Sequence, residues 1–228
     1  MCIRDRPITM KIFLDTADTE VLNRHYVTGL LDGVTTNPTL IRKRGRDPLV
    51  VYEEIAEIGF TDISMEVGGN GLEMVQEGRA LRERYGSVAT IKVPCTPEGL
   101  WACRELKRDL IKVNVTLIFS TAQAILAAKA GAKYVSPFVG RLNDNSHNGL
   151  GLIEDINKVF TIQGVHETEI LSASLRDVSS VSGSFAVGAD ICTIPPTVFE
   201  KMYNHVLTDK GLDQFNKDLE TIANANNS

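Results

Sequence analysis

Short β-branched runs recur along the chain, and a segment of helical character follows each of them. The runs are KIFLD (11–15), GVTTN (33–37), DISMEV (62–67), TIKVP (90–94), IKVNVTLIF (111–119), KYVSPF (133–138), EILSAS (169–174) and DICTIP (190–195). Rich in Val and Ile and bounded by Gly, Pro, Asp or Asn, they read as strands. Between them, Met74, Gly78, Leu81 and Tyr85 fall on one helical face, as do Leu152, Ile153, Ile156, Val159 and Phe160. Thr96-Pro97-Glu98 is a helix start, with a capping hydroxyl, a proline at the first position and an acid in the first turn. Ser120-Thr121 opens an Ala-rich helix that Gly131 closes.

Eight strands alternating with helices at crossover spacing predict a parallel sheet, and eight such units close into a (β/α)₈ TIM-type barrel. A doubly wound open sheet is the competing arrangement. After the eighth strand come PTVFEKMYNHV and then GLDQFNKDLETIANA, which is one C-terminal helix more than a barrel needs. It is expected to pack across the barrel or onto a neighbouring subunit. The charged MCIRDRPIT at residues 1–9 lacks the apolar core of a signal peptide and is read as an extension. The expected unit is thus one barrel domain over residues 10–228.

Composition narrows the partners. The chain has 228 residues and a net charge of −5 with both signs interspersed, so neither a nucleic-acid footprint nor a basic membrane-binding face is expected. No run is apolar and long enough to span a bilayer. Cys2, Cys95, Cys103 and Cys192 form no CxxC pair and read as reduced thiols of a cytoplasmic protein. The run RKRGRD (42–47) reads as a solvated loop, with a phosphate site as the alternative.

In a barrel of this kind the chemistry sits at the C-terminal strand ends. Asp15, Asn37, Glu66 and Lys92 stand at or near the ends of the first four runs. Asn114 and Thr116 share a face of the fifth, Ser136 and Phe138 of the sixth, and Ser172 and Ser174 of the seventh, with Arg176 beyond. A barrel interior is ordinarily filled by branched apolar side chains, so polar groups at seven of eight strand ends point to a site. Lys92, between Ile91 and Val93, is expected in apolar surroundings; desolvation disfavours an ammonium, and a neutral amine attacks carbonyls to form imines. A buried ion pair with Glu66 or Asp15 is the other reading of the same lysine. Lys112 lies at the start of its strand and is expected to be structural. Asp15 and Glu66 are the candidate proton carriers, Thr116 a water holder, Asn37 and Asn114 hydroxyl ligands, and Arg141 and Arg176 phosphate ligands. His25, His147, His166 and His205 show no metal-ligand spacing, and no metal or cofactor is expected; His147 is read as an exposed loop residue.

FLDTAD (13–18), VTTNPTLI (34–41), EV (66–67), IKVP (91–94), NVTLIFS (114–120), YVSPFVGR (134–141) and ASLR (173–176) resemble the transaldolase family in order and spacing, and the likeness runs from Met10 to TDKGLDQFNKDL. The length resembles the small-subunit branch, which also holds the fructose-6-phosphate aldolases. The resemblance implies a metal-free, class I mechanism with Lys92 as the Schiff-base residue. It makes Asp15 the general acid/base, and Glu66 and Thr116 the holders of the catalytic water. Asn37, Asn114 and Ser136 become substrate contacts, and Ser174, Arg141 and Arg176 phosphate contacts. The implied reaction carries a dihydroxyacetone unit from sedoheptulose 7-phosphate or fructose 6-phosphate to an aldose phosphate, in the pentose phosphate pathway. It also implies a homo-oligomer, a pentamer or decamer, with the C-terminal helix between subunits. Glu66, Ser136 and Phe138 fall on the transaldolase side, where the aldolases resemble the pattern but carry Gln, Ala and Tyr. Leu175 departs from the Phe of many relatives.

Overall fold

The computed structural model describes residues 10–226, without the side chains of residues 42–44, 225 and 226. The expected extension, residues 1–9, lies outside the described residues, as does Cys2. Eight strands, β1 Lys11–Asp15, β2 Gly33–Thr35, β3 Ile63–Glu66, β4 Ala89–Pro94, β5 Lys112–Ile118, β6 Tyr134–Pro137, β7 Glu169–Ser172 and β8 Ile191–Ile194, form a closed barrel. All pairings are parallel, and β8 returns to β1 through Lys11↔Ile191 to Leu14↔Ile194, which removes the open-sheet alternative.

Around the barrel run α1 Thr19–Tyr26, α2 Pro38–Arg44, α3 Pro48–Ile58, α4 Gly71–Tyr85, α5 Pro97–Arg108, α6 Thr121–Ala130, α7 Val139–Asp144, α8 Gly149–Gln163, α9 Val178–Ala186, α10 Pro196–Lys201 and α11 Val206–Asn226. The local signals act as expected: Thr96 Oγ1 accepts from Gly99 N at 3.1 Å to start α5, and Gly131 closes α6 at φ +90°. Asn70 and Glu73 form a capping box on α4 that has no counterpart in the sequence reading. The run at 42–47 is not a plain loop, since α2 continues to Arg44; Arg46 pairs with Glu54, and Asp47 caps α3.

Strand parity separates two kinds of side chain. Leu14, Val34, Ile63, Met65, Ile91, Val93, Val113, Val115, Val135 and Ile194 face outward and join the large core beneath the helices. The inner row is different. Its apolar members are few (Phe13, Tyr134, Leu171, Ala173 and Ile191), and the remainder includes Thr35, Ser64, Thr90, Lys92, Asn114 and Thr193. The interior of branched apolar side chains expected above is therefore corrected: this chain uses its Val and Ile on the helix-facing side. At the N-terminal end of the barrel, Asp62 accepts from Lys112 Nζ at 2.7 Å, Tyr134 Oη at 2.8 Å and Thr90 Oγ1 at 2.8 Å, which makes Lys112 the structural lysine expected.

Of the C-terminal helix, α11, the apolar residues Leu212, Phe215, Leu219 and Ile222 are exposed, so the helix does not cross its own barrel. No helix among the described residues is long and apolar enough to cross a membrane.

Candidate active site

The barrel mouth holds a cavity of about 150 Å³. Nine of the residues singled out in the sequence line it: Asp15, Asn37, Lys92, Asn114, Thr116, Ser136, Phe138, Arg141 and Ser174. Thr35, Leu171, Ala173 and Thr193 complete the lining. Asn37, Phe138 and Ser174 stand just beyond strands that end earlier than the runs suggested, yet still face the mouth.

Lys92 is buried, with 7% of its surface exposed. Its neighbours Ile91 and Val93 point the other way, toward the helices, so the apolar surroundings expected for the amine are corrected. Nζ lies 3.0 Å from Glu66 Oε2 and donates to the Thr36 carbonyl at 3.1 Å. The register explains the first contact, because Lys92 and Glu66 are direct partners across β3 and β4. Glu66 itself does not line the mouth. Its free edge opens on a second cavity of about 600 Å³ walled by Tyr52, Glu77, Leu81 and residues of α2 and α3. Tyr52 is buried there, and burial pushes its hydroxyl up to about 12.

Asp15 accepts a hydrogen bond from Thr35 Oγ1 at 2.8 Å, and Thr35 is tied to Thr193 at 2.6 Å. Enclosure in the barrel pushes the Asp15 carboxyl above its ordinary value; the charge of Lys92 and the Thr35 hydrogen bond offset this only in part. Asn114 bridges the floor, donating to Ser64 Oγ at 3.2 Å and accepting from Ser136 Oγ at 2.6 Å. Thr116 Oγ1 is buried without a hydrogen-bond partner. A buried unpaired hydroxyl costs about 1–3 kcal/mol, so this one is poised for a ligand or water. Asn37 Oδ1 accepts from Leu40 N at 3.0 Å, inside the first turn of α2.

Two residues at the mouth depart from ordinary backbone. Leu117 has φ +59° and Ser174 φ +60°. A left-handed conformation costs a non-glycine residue roughly 1–2 kcal/mol, and such strain gathers at functional sites. Leu117 is the extra residue of a bulge in β5, where the register shifts between Val115 and Ile118. The turn at Ser174 corrects a second expectation. Ser172 and Ser174 do not share a face: Ser172 bonds Ser184 of α9 at 2.9 Å, while Ser174 lines the cavity.

The two arginines are held differently. Arg141 is exposed at the rim and lies over the rings of Phe138, at 5.0 Å, and Phe119, at 5.9 Å. Arg176 is absent from the lining and pairs with Asp144 Oδ2 at 2.6 Å. Its stem packs on Gly140, where an added Cβ would meet Arg176 Cγ at 2.8 Å and the Ser174 carbonyl at 2.0 Å. Leu175 is fully buried and offers the mouth nothing. Thr35, Thr193 and the Thr36 carbonyl were missed by sequence reasoning. Thr35 shares strand parity with Asn37, and Thr193 is the polar position of the eighth run, so parity carried the signal for both; the carbonyl left none. His147 is exposed as expected. Among the described residues, no three His, Cys, Asp or Glu side chains gather as a metal-ligand set.

Comparison with known proteins agrees with this geometry. The profile described as transaldolase/fructose-6-phosphate aldolase matches residues 12–227. A "probable transaldolase" of Nitrosopumilus maritimus is 49% identical over 214 residues, covering 93% of this chain and 96% of that protein. Proteins of the same description from Caulobacter vibrioides (51% over 210 residues, 92% and 96% covered) and Aquifex aeolicus (50% over 214 residues, 93% and 98% covered) are similar throughout. With a closed eight-stranded barrel, a lysine and two carboxylates at its mouth, and likeness along nearly its whole length, the chain belongs to the transaldolase/fructose-6-phosphate aldolase family.

Proposed function

We propose that the protein is a transaldolase that carries a dihydroxyacetone unit between sugar phosphates through a Schiff base on Lys92. The observation that carries this reading is the Lys92 amine in the mouth cavity, paired with Glu66 at 3.0 Å and sharing the cavity with a carboxyl, Asp15, pushed toward its protonated form. Before attack, Lys92 gives a proton to Glu66. The neutral amine then adds to the ketose carbonyl, and loss of water yields the imine. Asp15 takes the proton from the hydroxyl on the carbon being released as the carbon–carbon bond breaks. The aldehyde leaves and the three-carbon enamine stays on Lys92. Addition to an acceptor aldehyde reverses the steps, and water hydrolyses the final imine. The unpaired Thr116 hydroxyl suits the holding of that water, with Glu66 taking or giving its proton. Asn37, Asn114 and Ser136 supply donors and acceptors for the sugar hydroxyls.

The cavity is smaller than the roughly 300–1,000 Å³ of drug-sized pockets, which suits the reacting carbons with the phosphate left at the rim. There Arg141 and Ser174 offer donors, and Arg176 joins them by leaving or sharing Asp144. Phe138 decides between transfer and free aldolysis: its ring has no proton to give the enamine, so the intermediate waits for a second aldehyde. The exposed apolar stripe of α11 fits a homo-oligomer, and three free cysteines fit a reducing cytoplasm.

Borohydride reduction in the presence of fructose 6-phosphate, followed by peptide mapping, tests the proposal. An adduct on Lys92 is expected. An adduct on Lys112, or none, removes the mechanism. Omitting erythrose 4-phosphate then separates the two activities: a transaldolase stalls without acceptor, whereas an aldolase releases dihydroxyacetone.

A further inference from the structure

We propose that Phe119 is a positioning residue: together with Phe138 it forms an aromatic seat that aims the Arg141 guanidinium at the substrate phosphate. This rests on the reading of Arg141 as a phosphate ligand and names what makes it one.

The seat is built by the bulge in β5. Before it, β5 and β6 pair as Asn114↔Tyr134 and Val115↔Val135; after it, as Ile118↔Pro137. Leu117 is the residue taken up, at φ +59°. Without the bulge, Ile118 would continue the inner row of Lys112, Asn114 and Thr116, and Phe119 would face the helices. With it, Ile118 is fully buried in the outer core, and Phe119 comes beside Phe138 at the mouth, with ring centroids 5.7 Å apart and planes at 64°. Gln123 locks the turn, its Oε1 accepting from Phe119 N at 2.8 Å. Phe119 does not line the cavity, so it reaches a substrate only through Arg141.

The chemistry favours rings over a carboxylate at this position. Arg176 is oriented by Asp144, which also cancels its charge. Arg141 rests on two π faces, at 5.0 and 5.9 Å, which restrict a long exposed side chain while leaving its charge uncompensated by them. An arginine so held keeps its donors for a phosphate and loses less freedom on binding it.

The test compares half-saturating concentrations for borohydride trapping by fructose 6-phosphate and by dihydroxyacetone, which has no phosphate. Phe119→Ala and Phe119→Leu are expected to raise the fructose 6-phosphate value about five- to tenfold and to leave the dihydroxyacetone value unchanged. Phe119→Tyr, which restores the π face, is expected to return it to near wild type. If Phe119→Leu behaves as wild type, bulk and not the π face matters, and the proposal is overturned. It is equally overturned if both ketoses lose affinity together. Arg141→Ala is the control: should it leave fructose 6-phosphate unaffected, the phosphate reading of Arg141 fails. If it weakens fructose 6-phosphate while Phe119→Ala does not, the aromatic seat alone is wrong.

Discussion

Lys92 and Lys112 stand in the same tripeptide, Ile-Lys-Val, at 91–93 and 111–113, and exchanging each for methionine should produce opposite phenotypes. Methionine keeps much of the side-chain volume and removes the amine. At Lys92 the change breaks a 3.0 Å ion pair and a 3.1 Å hydrogen bond. The partner left behind, Glu66, keeps 23% of its side chain exposed and opens on the second cavity, where water can solvate it. The loss is therefore expected at about 1–2 kcal/mol, below the 3–5 kcal/mol typical when one member of a buried pair is removed. At Lys112 the partner is Asp62, only 11% exposed, which retains Tyr134 and Thr90 as donors but no counter-charge. Here about 3 kcal/mol is expected. For a chain of this length 1 kcal/mol moves Tm by roughly 2–4 °C, so the two variants should fall by about 2–8 °C and 6–12 °C. Turnover should separate them the other way. Lys92→Met is expected to lose roughly 10⁴-fold or more, as enzymes do on losing a covalent nucleophile, and Lys112→Met to retain activity in its folded fraction. Urea denaturation, turnover and borohydride trapping on the same preparations provide the comparison. Lys92→Met that still turns over within tenfold of wild type, or Lys112→Met that is stable but inactive, would refute the assignment of roles.

Asp15 carries a raised pKa in the folded protein, so the fold binds its proton more tightly than the unfolded chain does. Its contribution to stability is present below the ordinary carboxylate value and is lost as pH rises through the raised one. Asp15→Asn should thus abolish turnover yet melt higher than wild type at pH 7–8, with the difference closing near pH 4; a lower Tm at neutral pH contradicts the reasoning. Phe138→Tyr combined with Glu66→Gln is expected to raise release of free dihydroxyacetone from fructose 6-phosphate in the absence of acceptor, and unchanged release rejects the proton-donor account. Leu110, exposed at φ +59° just past the end of α5, strains the backbone without burying its side chain. Leu110→Gly should therefore stabilise by about 1 kcal/mol, read as a rise in Tm with activity unchanged. Phe215→Glu with Leu219→Glu places charge on the exposed stripe of α11 and should lower the mass measured by sedimentation; an unaltered mass excludes that stripe as a subunit contact.

Strand parity and end signals made the barrel legible. Val/Ile runs stopped by Pro94, Pro137 and Pro195, and caps such as Thr96, are local features that survive into the fold. Nine mouth residues were readable because a regular strand presents every second side chain to one face. The reading failed where that regularity is broken. The bulge at Leu117 and the left-handed turn at Ser174 shift the parity of everything after them, so Phe119 was unseen and Ser172 was placed on the wrong face. It also failed where a side chain chooses between partners: nothing local says that Glu66 turns its free edge from the mouth, or that Arg176 takes Asp144.

The identical tripeptides show what separates a structural lysine from a reactive one. Lys112 pairs in register with Thr90, and Lys92 with Asn114, so the two amines belong to adjacent inner layers one pleat apart. In the lower layer every polar group is answered: Asp62 receives Lys112, Tyr134 and Thr90 together. In the upper layer the accounting is left open. Thr116 has a buried hydroxyl without a partner, Asp15 holds its proton more tightly than usual, and Arg141 rests on rings rather than on an acid. A satisfied network resists change, and an unsatisfied one gains free energy from any ligand that completes it. Height along the strand, not local sequence, therefore assigns the chemistry, and a sugar phosphate entering the mouth supplies the partners that the upper layer lacks.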